Sequence, residues 1–160
     1  MFLQNVFSPE FIKVNLEAED KDEAFEELVD CFCQAHGSNI RGELLEALHK
    51  REAKMSTGIL KGIAIPHGST KALDTVCGIL GISHQGIDYD ALDGNPVYLL
   101  FMILAPQADA ETHLRILKRL AELLENPEFS TDLQSQKDAQ GAYRVICKYE
   151  DKLMELDKIG

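Results

Sequence analysis

The stretch of the chain richest in chemical implication is Gly62-Ile63-Ala64-Ile65-Pro66-His67-Gly68. Ile63, Ala64 and Ile65 favour a short buried strand. Pro66 fixes its own φ and holds Ile65 extended. Gly68 lets another backbone approach closely. The histidine between them is therefore held at a strand end. With one ring nitrogen bound to a backbone acceptor, a neutral imidazole presents the other as a nucleophile or a ligand. The same string also suits a structural histidine in a turn, and alone it does not separate the two readings.

Two further places bear on that choice. His113 falls in the first turn of a helix expected after Pro106, where unpaired amides and the helix dipole favour an anion and keep an imidazole neutral. A phosphoryl group on His67 would sit between that helix end and the His113 ring; the alternative is a histidine that only caps the helix or faces solvent. Upstream, Arg51 and Glu52 are followed by Ser56-Thr57-Gly58, leading directly into the strand. Arginine offers a planar fork matched to phosphate oxygens, and hydroxyls with a glycine loop add donors. The alternative is a solvated helix end. Of the other histidines, His36 is expected to end a helix, while His49 and His84 read as surface positions.

These residues need elements to hold them. Phe11 to Leu16 alternates apolar and polar residues, as an edge strand does. Asp20, with Glu23 three residues on, starts a helix whose stripe is Ala24, Phe25, Leu28, Phe32 and Ala35, stopped by Gly37. A second helix, from Asn39 or Arg41 to about Ala53, carries Leu44, Leu45 and Leu48. Ile63–Ile65, Val76–Ile82 and Val97–Leu104 read as strands, the last buried on both faces, with turn-like composition from Gln85 to Pro96. Glu111–Glu125 predicts a helix with a stripe of Leu114, Leu117, Ala121 and Leu124. Two more helices are expected at about Pro127–Gln134 and Lys137–Met154. The alternation predicts an α/β domain, a small mixed sheet flanked by helices on both faces.

The totals set bounds. The 160 residues suit one domain spanning 1–160, with a core at about 5–150, and 45% hydrophobic content is ordinary for a globular chain. No apolar run approaches the roughly 20 residues that span a bilayer. The N-terminus lacks a basic start and a cleavage-like site, so the expectation is a cytoplasmic protein. A net charge of −11 argues against nucleic acid or an anionic membrane as partner. Cys31, Cys33, Cys77 and Cys147 form no CxxC pair and no ligand-spaced cluster with histidine, so free, mostly buried thiols are expected, with neither zinc nor disulfides.

Taken together, Arg51, the STG segment, GIAIPHG, FMILAP (101–106) and THLRILKRLAELL (112–124) resemble the enzyme IIA component of the fructose–mannitol type in the bacterial sugar phosphotransferase system, including its nitrogen-regulatory branch. The likeness extends over about residues 5–150. It implies a mixed sheet flanked by helices, and a phosphoryl group accepted on His67 from a phosphorylated histidine carrier protein. It implies that Arg51 and His113 line the site, with Thr57 and Glu52 as weaker members of the set. No metal or organic cofactor is implied. One departure stands out: family members commonly carry a glycine and a small polar residue after STGI, where this chain has Leu60-Lys61. Lys61 would either add a cation near the phosphate or face solvent.

Three roles fit the resemblance. The phosphoryl state regulates a target protein; or the chain is a stand-alone IIA component that passes phosphate to a IIB sugar permease subunit; or it is a degenerate relative that no longer phosphorylates. The single domain and the STGI string favour the regulator, and the presence of both His67 and His113 counts against the degenerate form.

Overall fold

The computed structural model describes residues 2–58 and 61–159. Its elements run α1 (Leu3–Val6), a 3-10 turn (Pro9–Phe11), β1 (Ile12–Lys13), α2 (Lys21–His36), α3 (Arg41–Glu52), β2 (Ile63–Ala64), β3 (His67–Thr70), β4 (Cys77–Ile87), β5 (Val97–Pro106), α4 (Ala110–Leu124), α5 (Pro127–Gln134) and α6 (Ala139–Ile159). The five strands form one mixed sheet. β1 runs parallel to β4, β4 antiparallel to β5, and β2 and β3 both run parallel to β5 on its far side.

β5 is the axis of the fold. Its side chains alternate between two cores: Leu99, Phe101, Ile103 and Ala105 face one, and Leu100, Met102 and Leu104 face the other. Helices α2 and α3 close the second core with Phe25, Leu28, Phe32, Leu44 and Leu48. Helices α4, α5 and α6 close the first with Ile116, Leu120, Phe129, Leu133 and Ile146. A strand buried on both faces must read as an unbroken apolar run, and this one does.

Local signals set most of the helix ends. The Asp20 carboxylate accepts the Glu23 amide at 2.9 Å, and Gly37 closes α2 at φ +74°. The α2 stripe includes Val29, whereas Ala35 at its expected end is exposed. Helix α4 differs more. Ile116, Leu120 and Leu123 are its fully buried residues, Leu117 and Leu124 are only partly buried, Ala121 is exposed and Leu114 is 66% exposed. Both sets share the i, i+3, i+4 spacing, so the phase of the helix follows from how it meets the sheet, which periodicity does not encode.

Strand β1 is shorter than the alternation suggested, although Ile12, Val14 and Leu16 are all buried. β4 is longer, reaching Ile87 after an irregularity past Ile82, where the Ser83 hydroxyl accepts the Gly86 amide at 3.0 Å. The four cysteines are free but half-buried rather than buried. Among the described residues, no helix is long and apolar enough to cross a membrane.

One strand was not expected at all. β2 and β3 pair with β5 in a single register, Ile63 opposite Leu99 and His67 opposite Ile103, with Ile65 and Pro66 as a gap between them. They are one interrupted strand. His67 opens its second half and is not the end of the first.

Candidate functional site

The interruption holds the imidazole. Across the gap, the Pro66 carbonyl still accepts the Ile103 amide at 2.9 Å, but both polar groups of Ile65 are turned elsewhere. Its N–H donates to the Thr57 carbonyl at 3.1 Å, and its carbonyl lies 2.8 Å from His67 Nδ1. A carbonyl only accepts, so Nδ1 carries the proton. On the other side of the ring, Arg51 Nε lies 3.2 Å from His67 Nε2. A guanidinium only donates, so Nε2 carries the lone pair. Two independent contacts thus assign the same tautomer.

Gly68 allows this approach. A Cβ there would lie 2.8 Å from the Ala47 carbonyl oxygen and 2.9 Å from its carbon, so β3 lies against the backbone of α3 itself. Ala47 is one turn before Arg51, and the close approach brings the guanidinium within reach of the ring. A second bond, from the Arg51 terminal nitrogen to the Met55 carbonyl at 3.0 Å, fixes the far end of the fork.

His113 comes from the opposite side. It occupies the first turn of α4, and its ring meets that of His67 edge-on, with centroids 5.5 Å apart and planes at 78°. Its Nε2 is buried and bonds to no described protein group. The Asp109 carboxylate accepts the Thr112 amide at 3.2 Å, so the helix end is already partly capped and α4 contributes the ring to the cleft. Both histidines are held below the ordinary imidazole range. For His67, burial is the largest cause; the Ile65 carbonyl opposes it, the Arg51 cation adds a smaller lowering, and Glu52 a smaller raising still. For His113, burial again leads and the neighbouring His67 follows. At neutral pH both rings are uncharged.

These groups open into a cleft of about 250 Å³ lined by Lys50, Arg51, Lys54, Ser69, Gln107 and the two histidines, with Ala47 and Gly68 at its base. The lining holds three cations and no carboxylate, in a chain of net charge −11. Such a site concentrates an anion. A larger cleft of about 410 Å³ elsewhere is lined by Glu19, Asp88 and Asp90 without a cation, and is electrostatically wrong for phosphate.

Of the five residues expected at the site, His67, His113 and Arg51 meet in the cleft. Glu52 and Thr57 do not line it: they are 9% and 3% exposed, and bond to each other beneath the loop. The Thr57 hydroxyl is therefore not a free phosphate donor, and the Ser56 hydroxyl accepts the Gly58 amide at 3.2 Å. Lys61 is exposed and outside the cleft lining, and Ile59 and Leu60 lie outside the described residues. Sequence reasoning missed Lys50, Lys54, Ser69 and Gln107. The two lysines flank Arg51 at helical spacing, and Ser69 shares a strand face with His67, a signal that only the missed β3 would have exposed. Nothing in the sequence around Gln107 marks it.

Both the sequence and the fold have counterparts among known proteins. Residues 5–149 match the family model described as phosphoenolpyruvate-dependent sugar phosphotransferase system, EIIA 2. The chain is 34% identical over 147 residues to a nitrogen regulatory protein of Bradyrhizobium diazoefficiens, covering 92% of this chain and 95% of that one. It is also 34% identical over 150 residues to the fructose-specific EIIABC component of Bacillus subtilis, covering 94% of this chain but 24% of that longer protein. Among solved structures, the nitrogen regulatory protein IIA-Ntr of Neisseria meningitidis superposes with a TM-score of 0.82 at 26% identity, covering 90% of this chain and 98% of that one.

Proposed function

The chain belongs to the EIIA 2 family of the phosphoenolpyruvate-dependent sugar phosphotransferase system, and from that membership we propose that it carries a phosphoryl group on Nε2 of His67. The observation that carries this reading is the tautomer: Nε2 bears the lone pair and lies at the one cleft described here that is rich in cations and free of carboxylates.

In the proposed step, His67 Nε2 attacks the phosphorus of a phosphohistidine on the donor carrier protein. The N–P bond to the donor breaks as the new one forms, and the donor ring leaves with its lone pair. The donor phosphohistidine carries a proton on its second ring nitrogen, so its ring leaves as neutral imidazole and no proton has to move. Positive charge built up on the His67 ring is stabilised by the Ile65 carbonyl at Nδ1–H, the role an orienting acceptor plays behind any nucleophilic or basic histidine. The Arg51 Nε–H gives up Nε2 as the phosphoryl arrives, and its planar fork then suits the equatorial oxygens. The neutral His113 ring, with Nε2 unpaired, is the second donor, while Lys50 and Lys54 supply field.

We read the phosphoryl state as a regulatory signal, of the nitrogen-regulatory kind, supported by the similarity to nitrogen regulatory proteins over nearly the full length of both chains. The alternative, relay to a IIB permease subunit, is supported by the equal identity to a fructose-specific component. A phosphoryl carrier served by a soluble donor belongs in the cytoplasm. Incubation with phosphoenolpyruvate, enzyme I and the histidine carrier protein, followed by intact mass spectrometry, tests the main reading. The expected result is an acid-labile phosphoryl adduct that is absent from His67→Ala. A wild-type chain that gains no label, or a variant that gains as much, overturns it. Offering the labelled chain to purified IIB proteins then separates relay from regulation.

A further inference from the structure

Both groups that hold the His67 ring depend on one short loop, residues 53–58. Arg51 is anchored on the Met55 carbonyl, and the Ile65 amide donates to the Thr57 carbonyl. That loop is in turn tied down from beneath by a buried carboxylate. Glu52 accepts the Thr57 amide at 2.8 Å on one oxygen and the Thr57 hydroxyl at 2.6 Å on the other. Lys21, the first residue of α2, pairs with the same carboxylate at 3.1 Å. The Tyr89 hydroxyl lies 2.8 Å from the Thr57 hydroxyl and 3.3 Å from Glu52. The single Thr57 hydroxyl proton is committed to the carboxylate, so Tyr89 is the donor. Lys21 Nζ also sits 4.8 Å over the Tyr89 ring.

We propose that Glu52, Thr57, Tyr89 and Lys21 form a positioning cluster that fixes the His67 tautomer through the backbone of Ile65. This rests on the reading of His67 as phosphoacceptor, but its first consequence, the state of the resting ring, is measured without any phosphate. The path is continuous. The carboxylate fixes the amide and side chain of Thr57, the Thr57 carbonyl fixes the Ile65 amide, and the Ile65 carbonyl holds Nδ1–H of His67. None of the four lines the cleft, so none is placed to touch a phosphoryl group in this structure.

The chemistry of the cluster suits a fixed clamp. Burial works to raise the Glu52 carboxyl, but the Thr57 hydroxyl and amide together with Lys21 outweigh it and leave the group below its ordinary range, hence ionised. Burial holds the Tyr89 phenol well above its ordinary range, hence protonated and able to donate. A buried charge that meets several donors is costly to disturb, because removing one partner leaves the others desolvated and unpaired. Such a network has one low-energy arrangement. The same cluster spans α2, the end of α3 and the β4–β5 connection, so it ties the cleft to three parts of the fold.

The test uses the full chain, unphosphorylated, with 15N-labelled histidine at a pH where the rings are neutral. Long-range 1H–15N NMR reads the His67 tautomer directly. Wild type shows only the Nδ1–H form. In Glu52→Gln and Thr57→Val the ring samples both forms, and the rate of His67 labelling falls on the order of 10-fold, as when an outer-shell partner of a functional histidine is removed. Tyr89→Phe, which keeps the ring packing and removes one donor, shifts both readouts in the same direction by less. Val145→Ala, in the opposite core, serves as the stability control and leaves the tautomer unmoved. A wild-type ring that already samples both forms, or Thr57→Val and Tyr89→Phe proteins with a wild-type tautomer, overturns the proposal. Should Glu52→Gln fail to fold, those two variants decide it. A chain that takes no phosphoryl label, yet shows the tautomer change in the variants, defeats the function proposed above and leaves the positioning cluster standing.

Discussion

Substituting Gly68 by valine separates β3 from α3 at the point where His67 meets Arg51. A Cβ at this position lies 2.8 Å from the Ala47 carbonyl oxygen, and ordinary contact begins at 3.4 Å, so the two backbones must part by about 0.6 Å. Ala47 O and C belong to the interior of a helix, which no rotamer change can relieve. The Arg51–His67 bond, now 3.2 Å, would then stretch past hydrogen-bonding range. Overpacking of this kind costs about 1–3 kcal/mol. For a chain of this size that lowers Tm by about 2–12 °C. Thermal melting monitored by circular dichroism reads the first effect, and timed phosphoryl labelling from the carrier protein reads the second. The expected result is a lower Tm together with slowed labelling, with Gly68→Ala falling between wild type and valine in both. A valine variant that melts and labels like wild type would refute the claim that backbone-on-backbone contact at Gly68 sets the site.

The remaining predictions concern charge, donors and capping. Because burial and Arg51 depress His67, its neutral form persists on the acid side of the ordinary midpoint near 6.5, so the acid limb of labelling falls below that pH; Arg51→Gln removes a cation and moves the His67 midpoint upward. An NMR titration of the His67 ring checks both, and a downward move on losing Arg51 would contradict the argument. His113→Ala removes the unpaired ring donor and should slow labelling on the order of 100-fold, the loss typical of one preorganised donor, in a single-turnover assay. Asn126→Ala removes the α5 cap, where its side-chain oxygen accepts the Glu128 amide at 3.0 Å, and should cost about 1 kcal/mol in urea titration, with labelling unchanged because Asn126 belongs neither to the cleft nor to the cluster around Glu52.

Much of this architecture was legible because local chemistry specifies it. Asp20 and Gly37 bound α2, Pro127 opens α5, and the apolar run from Val97 gives the central strand. Gly68 was legible as a point of close approach, although the sequence does not say that the partner is Ala47. What the sequence hid depends on tertiary pairing. His67–Thr70 is short and polar, with no period-2 pattern, and becomes a strand because β5 offers it a continuous register past the Ile65–Pro66 gap. The phase of α4 was ambiguous because Leu114, Leu117, Leu120 and Leu124 supply two helical stripes, and the sheet selects the one through Ile116 and Leu120. At the site, the Thr57 hydroxyl carried the right chemistry for phosphate but is spent on Glu52 and Tyr89, and the Glu52 carboxylate on Thr57 and Lys21. Gln107 reaches the cleft only because β5 ends beside β3, where its amide donates to the Thr70 carbonyl at 3.0 Å.

The central claim is that the phosphoryl group forms on Nε2 of His67, the nitrogen left free by the Ile65 carbonyl. Long-range 1H–15N NMR on the phosphorylated chain, with the phosphorus coupling assigned to one ring nitrogen, tests it most directly. The account predicts phosphorus on Nε2 with Nδ1–H still bonded to Ile65. Phosphorus on Nδ1, or on the His113 ring, would contradict it.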